Sequence, residues 1–477
     1  MPELISLSSY VDGADMPHGG ERIVLAKPST GEADFALVEA NSDVVRAAVE
    51  NARKAYKVNR KSALHQRAEW LRSAASALQG AGDRVADIIS EDVGKPIRIA
   101  RIEVRRGIEF LEACAAATFN MGGEVIPLDA TANGAGHFGF TTRVPYGVVG
   151  AITPFNAPVN LLIQKVAPAI AAGNSVVAKP APSGTRTARA LAKLFCESGW
   201  PRGLFNIVTG DREAAAALAS TCDAVTFTGG TVAGEALARI AGVKKFVSEL
   251  GSNAANVVMA DADIGDAAQK IAAAGFEASG QQCISAQRVL VDASVYKQFL
   301  DAFVSATSKL RVGAAADPTT DVGPMVHRAA ADRVMRMCRD AIQRGARFAL
   351  EPVQNGCLVS PGVLLDVPSD AALWNEEVFG PVVLVRAFED LDEALRLAND
   401  SPFGLQGAVF TRSLDTAMRF SSDFEVGSLW INEASRYRLD LYPFGGMKLS
   451  GTGREGVRYA IEELSQVKFT GMKLPPT

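Results

Sequence analysis

Among 477 residues there are only 6 cysteines and 4 histidines. The cysteines, at 114, 196, 222, 283, 338 and 357, contain no C-x-x-C pair, and the histidines, at 18, 65, 137 and 327, form no H-E-x-x-H. A zinc site and a disulfide framework are both disfavoured, so no metal is expected and a reducing, cytoplasmic setting is. The chain also lacks an excess of charge of one sign: 49 basic against 53 acidic side chains leave a net charge of −4. Without a positive field or a basic stripe, neither nucleic acid nor a membrane surface is an expected partner. No apolar run approaches the roughly 18–20 residues needed to span a bilayer. The first ten residues place no basic stretch before an apolar one, so a secretory signal is not expected. Hydrophobic residues at 48% and charged residues at 21% are those of an ordinary folded chain, which excludes disordered and collagen-like readings. The length predicts about two to four domains. What remains is an enzyme whose chemistry does not depend on clustered histidine.

What the chain does have is alternation. Residues 42–56 and 65–78 carry apolar side chains at helical spacing, with Ser42 reading as an N-cap. Gly122-Gly123 and Asn133-Gly134-Ala135-Gly136 punctuate a strand-like stretch, a hairpin or an extended arm. From Tyr146 onward, five short apolar runs (148–152, 175–178, 205–208, 224–227 and 245–250) alternate with helical patterns at 159–171, 185–196, 213–219 and 232–240. Such alternation signals βαβ units and a mostly parallel, doubly wound α/β sheet. Ligands bind outside the carboxyl ends of strands in such sheets, which directs attention to residues 153–156, 179–182, 209–210, 228–230 and 249–251. A second block alternates strand-like runs (256–259, 288–291, 363–365, 382–385, 408–410, 428–431) with helical stretches at 263–278, 295–309, 330–344 and 391–399, and reads as a second α/β domain.

Several residues at these edges suit chemistry, each with a plainer alternative. Cys283 lies in Gly280-Gln281-Gln282-Cys283-Ile284, where the glycine permits close backbone approach. A thiolate is a strong nucleophile, yet a lone cysteine is usually a small packing residue. Glu249 ends a strand-like run and suits a general base or a simple ion pair. Asn156, between Pro154 and Pro158, suits a turn or an oxyanion donor. Lys179 suits a surface charge or a nucleotide ribose. Thr228-Gly229-Gly230-Thr231 precedes a helix whose N–H groups suit a pyrophosphate, although the spacing is not G-x-G-x-x-G.

In their order along the chain these segments resemble the aldehyde dehydrogenase superfamily, over nearly the whole length and most strongly from Pro145 to Gly456. The matching segments are Pro154-Phe155-Asn156, Lys179-Pro180-Ala181, Phe227-Thr228-Gly229, Glu249-Leu250-Gly251, Gly280-Gln281-Gln282-Cys283, Glu377-Val378-Phe379-Gly380-Pro381, Pro443-Phe444-Gly445-Gly446 and Ser450-Gly451-Thr452-Gly453-Arg454-Glu455. The resemblance implies that Cys283 is the nucleophile, Glu249 the general base and Asn156 an oxyanion donor together with the Cys283 N–H. It implies that NAD or NADP contacts Thr153, Pro154, Phe155, Lys179, Pro182, Gly210, Thr228, Gly229, Gly230, Leu250, Gly251, Glu377 and Phe379. The implied architecture is a Rossmann-like cofactor domain (1–121 and 146–251), a catalytic domain (252–458) and an oligomerisation region (122–145 and 459–477). A homodimer or homotetramer is expected, because an unpaired strand edge is a liability in a monomer.

Finer expectations follow from departures. Ser248, Ser252, Gly230, Ser285 and Gln287 differ from the choices usual in the family, without removing a catalytic group. The carboxylate that many NAD-preferring members carry three residues after the ribose lysine is replaced by Pro182, with Arg186 close by, so acceptance of NADP is expected. The aldehyde is expected to meet Leu161, Gln164, Gln282, Ile284 and Tyr437. The loop 432–440 looks like that of the lactaldehyde and succinate-semialdehyde branch. Members that bind phosphono- or sulfo-aldehydes place a basic residue before the nucleophile; here Gln282 stands there, and Ala157 follows Asn156. A small neutral or hydroxylated aldehyde or semialdehyde is therefore expected, with Arg436, Arg438 and Asp440 read as ion pairs that hold the loop. Two alternatives stay open: a CoA-acylating aldehyde dehydrogenase, disfavoured by Glu249, and a catalytically inactive family member acting as a binding protein.

Overall fold

The structure, a computed structural model, describes residues 4–475; the ends of the expected domain ranges, 1–3 and 476–477, lie outside the described residues. The five runs after Tyr146 form the strands Val148–Thr153, Ser175–Pro180, Phe205–Ile207, Ala224–Thr228 and Lys245–Glu249. All five are parallel, and the first pairs with both the second and the fourth. The chain therefore winds outward from Val148–Thr153 in one direction, returns, and winds outward in the other. The crevice beside Thr153 and Thr228 is the topological switch point, where doubly wound sheets bind ligands. Eight strands complete this sheet: Ser9–Val11 and Ala14–Met16 extend one edge, and the short Gly451–Thr452 closes the other, antiparallel to Lys245–Glu249.

Both faces of the sheet are covered, which is why its strands are continuous apolar runs rather than alternating ones. Val149, Ala151, Val176 and Ala178 face a core shared with Phe110, Leu162 and Val166. Val148, Ile152, Val177 and Val225 face the opposite core with Val45, Val49 and Leu218. The helix Ser42–Asn59 supplies that second layer. Its N-cap is Asn41 rather than the expected Ser42: the Asn41 backbone is extended, and its Oδ1 accepts from the N–H groups of Asp43 (3.1 Å) and Val44 (3.0 Å).

The second block forms a seven-stranded sheet in the order Arg347–Leu350, Gly362–Leu365, Val382–Phe388, Arg288–Asp292, Ala255–Val258, Gln406–Phe410, Ser428–Ile431, parallel except for the first pair. Two cores again flank it. A third, three-stranded sheet pairs His137–Pro145 with the C-terminal strand Ser465–Lys473 over nine residue pairs and with Val125–Ile126 on its other side.

Candidate active site

Three connections at the edges of the two large sheets converge on one cavity of about 70 Å³, room for a few waters or a short-chain molecule. Asn156 enters from the turn after Val148–Thr153, and its amide oxygen is buried without a partner. Cys283 enters from the loop before Arg288–Asp292. That loop is reached through Ala278, Ser279 and Gly280, all with positive φ (50°, 59° and 66°). A Cβ on Gly280 would lie 2.2 Å from the Gly380 carbonyl oxygen, so this position requires glycine. Ser285 and Gln287, two of the unusual residues, lock the loop. The Ser285 hydroxyl donates to the carbonyls of Ala274 (3.2 Å) and Gly275 (3.1 Å). The Gln287 amide donates to the Glu376 carbonyl (2.7 Å) and accepts from the Val378 N–H (3.0 Å), tying the Cys283 loop to the segment that carries Glu377 and Phe379.

Glu249 ends its strand at 3% exposure, and neither carboxylate oxygen has a hydrogen-bond partner. It does not line the cavity, yet its charge reaches Cys283. Burial, and then the Glu249 charge, push the Cys283 thiol up to about 12. Burial and the neighbouring Glu455 hold the Glu249 carboxyl well above the usual carboxylate range. Glu455 itself stays low: the pull of burial is outweighed by Lys165 (2.9 Å) and Arg438 (2.9 Å), both buried against it. Arg438 also stacks over the Phe444 ring, 3.7 Å from its centroid. At rest, therefore, the Cys283 thiol and the Glu249 carboxyl are both favoured in their neutral forms, beside a carboxylate that is fully paired.

Asn156, Leu161, Gln164, Gln282, Cys283 and Ile284 all line this cavity. It does not include Tyr437, whose ring is 42% exposed and packs edge-on against Trp430 (4.7 Å). The wall also carries cations that the sequence pattern did not single out as substrate contacts: Lys95, Arg106, Arg436 and Arg438, against only two lining carboxylates, Glu103 and Glu277. Behind the wall Asp440 pairs with Arg106 (3.0 Å) and accepts from the Gln164 amide (2.9 Å), while Glu277 pairs with Arg436 (2.5 Å). The loop is held by ion pairs as expected, but its arginines also face the cavity. The Nε atoms of Arg436 and Arg438 are buried without a hydrogen-bond acceptor. Gln282 and Ala157 therefore do not make this cavity neutral. Glu103 also shapes the backbone here. Its Oε1 accepts from the N–H groups of Val159 (2.8 Å) and Asn160 (3.3 Å), capping the helix that follows Asn156, while its other oxygen pairs with Lys95.

On the other side of Cys283 lies the switch-point crevice. Phe155 and Phe379 meet edge-on at 5.9 Å. Glu377 accepts from the Ser252 N–H (3.2 Å) beside Gly251, and burial raises it to about 7. The Leu250 N–H donates to the Ser450 carbonyl (3.0 Å), and the Gly229 N–H to the Glu249 carbonyl (3.1 Å). The Thr228 hydroxyl is buried with no partner, Gly230 borders open space, and the helix Thr231–Ala241 that starts there has no side-chain cap. Lys179 ends its strand beside the Gly210 carbonyl (3.4 Å) and Asp211 (4.0 Å). Burial lowers it to about 8, against the opposing pull of Asp211 and Glu39. Pro182 opens a short turn, and Arg186 behind it is not free. Its guanidinium pairs with Asp34 (3.2 Å), Glu91 (2.8 Å) and Asp92 (2.6 Å) and lies over Phe35.

The doubly wound sheet has an unsatisfied switch-point crevice, next to a cavity that holds a thiol. The Aldehyde dehydrogenase family profile matches residues 16–470, and the chain belongs to that family. It is 38% identical to the 3-sulfolactaldehyde dehydrogenase of Priestia megaterium over 468 residues, 98% of each chain. It is 34% identical to the lactaldehyde dehydrogenase of Methanococcus maripaludis, covering 94% of this chain and 96% of that one. Its structure superposes on that of the NADP-dependent glyceraldehyde-3-phosphate dehydrogenase of Bacillus halodurans complexed with NADP, with a TM-score of 0.96, 31% identity, and 99% and 100% of the two chains covered.

Proposed function

We propose that this enzyme oxidises a small aldehyde bearing an anionic group to its carboxylic acid, with NAD or NADP as the electron acceptor. The observation that carries this reading is the cavity itself, where Cys283 and Asn156 share a wall with Arg106, Arg436, Arg438 and Lys95. Each of these cations already has a carboxylate partner, but the Nε atoms of Arg436 and Arg438 are buried without an acceptor, so among the expected substrates the semialdehyde, whose acidic group can accept from them, suits that wall best. The relatives named for sulfolactaldehyde and glyceraldehyde-3-phosphate also carry acidic groups on their aldehydes.

The crevice fits a dinucleotide. Thr228, Gly229, Gly230 and the uncapped helix would receive the pyrophosphate, and Lys179 and Glu377 the two riboses. Phe155 and Phe379 would bound the nicotinamide end, beside Thr153, Pro154, Leu250 and Gly251. A nicotinamide ring bound there supplies a two-electron acceptor for the hydride leaving the substrate carbon. The protein does the rest. Cys283 gives up its proton to water and its sulfur attacks the aldehyde carbon. The Asn156 amide and the Cys283 N–H meet the oxyanion so formed. Once a thioester has formed and Glu249 has released its proton, Glu249 deprotonates a water that cleaves the thioester, returning the thiol and the acid. A carboxyl raised by burial is matched to that transfer from water.

Glu249→Gln is expected to keep a single-turnover NAD(P)H burst and to lose steady-state turnover. Recovery of turnover with added CoA would point to the CoA-acylating alternative, and no burst with any aldehyde to the inactive one. Arg436→Ala is expected to raise KM at least tenfold for an anionic aldehyde and to leave a neutral aldehyde within threefold. Equal effects on both would remove the charge argument.

The same reading includes a homodimer or homotetramer and a cytoplasmic location. In support of the first, Ser465–Lys473 is an outer strand with Val467 (62%) and Phe469 (51%) exposed. In support of the second, a nucleophilic cysteine works only as a free thiol, and all six cysteines are free.

A further inference from the structure

We propose that Asp211, backed by Glu39, makes this enzyme prefer NAD to NADP, with NADP accepted more weakly. The inference rests on the reading that places a cofactor ribose at Lys179.

The two cofactors differ only by a phosphate on the adenosine ribose. In doubly wound sheets that ribose lies at the end of the second strand, where a carboxylate on the 2′-hydroxyl selects NAD and a nearby arginine admits NADP. Here the second strand ends at Lys179-Pro180, and the turn that follows offers neither selector. Pro182 carries no charge, and the single guanidinium of Arg186 is shared among Asp34, Glu91 and Asp92. Three carboxylates around one arginine leave no positive charge for a phosphate.

The selecting charge comes instead from the third strand. The loop after Phe205–Ile207 passes Gly210 and brings an Asp211 carboxylate oxygen to 4.0 Å from the Lys179 ammonium. That carboxylate is more than half exposed, so it is accessible to a ligand that reaches Lys179. Glu39 sits behind it, its Oε1 accepting from the Asp211 N–H at 2.9 Å. It also packs on Gly210, where an added Cβ would meet Glu39 Cγ at 3.1 Å and Oε1 at 3.2 Å. Lys179 is therefore one cation between two carboxylates. It can donate to a hydroxyl while Asp211 accepts from one, which suits an unmodified ribose. A phosphate held by Lys179 would be brought within a few ångströms of Asp211, and like charges at that range repel strongly in a site partly closed to water. The neighbouring Arg212 is exposed and, among the described residues, has no ion pair. If its charge captured the phosphate, NADP would bind as well as NAD.

Calorimetric titration with NAD and NADP, alongside kcat/KM for each, tests this. The wild type is expected to bind NAD at least tenfold more tightly. Asp211→Asn, a change at an exposed side chain that makes no cap of its own helix, is expected to narrow that gap at least fivefold. Raising the ionic strength is expected to narrow it too. Lys179→Ala is expected to weaken both cofactors. Equal or tighter binding of NADP by the wild type would overturn the inference. So would a ratio that stays within twofold in Asp211→Asn while Lys179→Ala still weakens both. If Lys179→Ala left both dissociation constants unchanged, the placement of the ribose would fall, and this inference with it.

Discussion

Burial disfavours the charged forms of Cys283 and Glu249, the forms that the proposed chemistry uses. Burial places the thiol at about 12, so the thiolate fraction at neutral pH is small, and reactivity rises with pH rather than falling. Alkylation of Cys283 by iodoacetamide in the cofactor-free protein is accordingly expected to accelerate from pH 7 to pH 10 without a plateau; a plateau below pH 8 would contradict the burial argument. Glu249→Gln removes the carboxylate charge that is the second cause of the shift, and is expected to speed alkylation at the alkaline end of that range, where Glu249 is ionised. Asn156→Ala is expected to lower kcat about 10²–10³-fold while the melting temperature stays within a few degrees. At this scale the sequence was only partly legible. Gly280-Gln281-Gln282-Cys283 is thin alone and gained meaning only from the order of the segments around it. The Lys165–Glu455 pair joins residues 290 apart, and no local pattern announces such a contact. Arg186 was misread for the same reason: two of its three partners, Glu91 and Asp92, lie on a distant helix, and the third, Asp34, on a distant strand. Tyr437 was misplaced because the orientation of a side chain on a loop is set by its neighbours, here Trp430.

Elements were far easier to read. Fully buried parallel strands must be short β-branched runs, and their helices must follow, so the five strands after Tyr146 stand out from composition alone. What composition does not reveal is how a turn aims its residues. Gly280 is one such case: at φ +66° with the Gly380 carbonyl 2.2 Å from a Cβ, Gly280→Ala is expected to displace the Cys283 loop. A drop of at least tenfold in both alkylation rate and kcat is expected, with a measurable loss of stability in urea unfolding. Glu103 is another. Glu103→Ala uncaps the helix Asn160–Ala172 and leaves Lys95 buried without its partner, which is expected to destabilise by about 3–5 kcal/mol in the same assay. Unchanged stability would mean that water readily replaces the carboxylate.

The two large sheets meet where the chemistry is proposed, and neither completes the site alone. Asn156, Lys179 and Glu249 come from one sheet, Cys283 and Glu377 from the connections of the other. The third sheet lies apart, with apolar side chains on its C-terminal strand. Replacing Val467 and Phe469 by aspartate is expected to shift the mass found by light scattering toward the monomer; an unchanged mass would place the contact elsewhere.

One modest strand sets the order in which these parts come into being. Gly451–Thr452 closes the sheet edge beside Ser248 and Glu249 from 204 residues downstream, and Glu455 follows within the same turn of chain. At roughly 5–20 residues per second, a ribosome needs on the order of 10–40 s to travel that distance. Throughout that interval a growing chain carries Glu249, and later Cys283, without the wall that surrounds them. The thiol is made midway through translation, but the residues that bury it are completed only near the end, so an unfinished chain holds Cys283 in surroundings unlike those of the finished one.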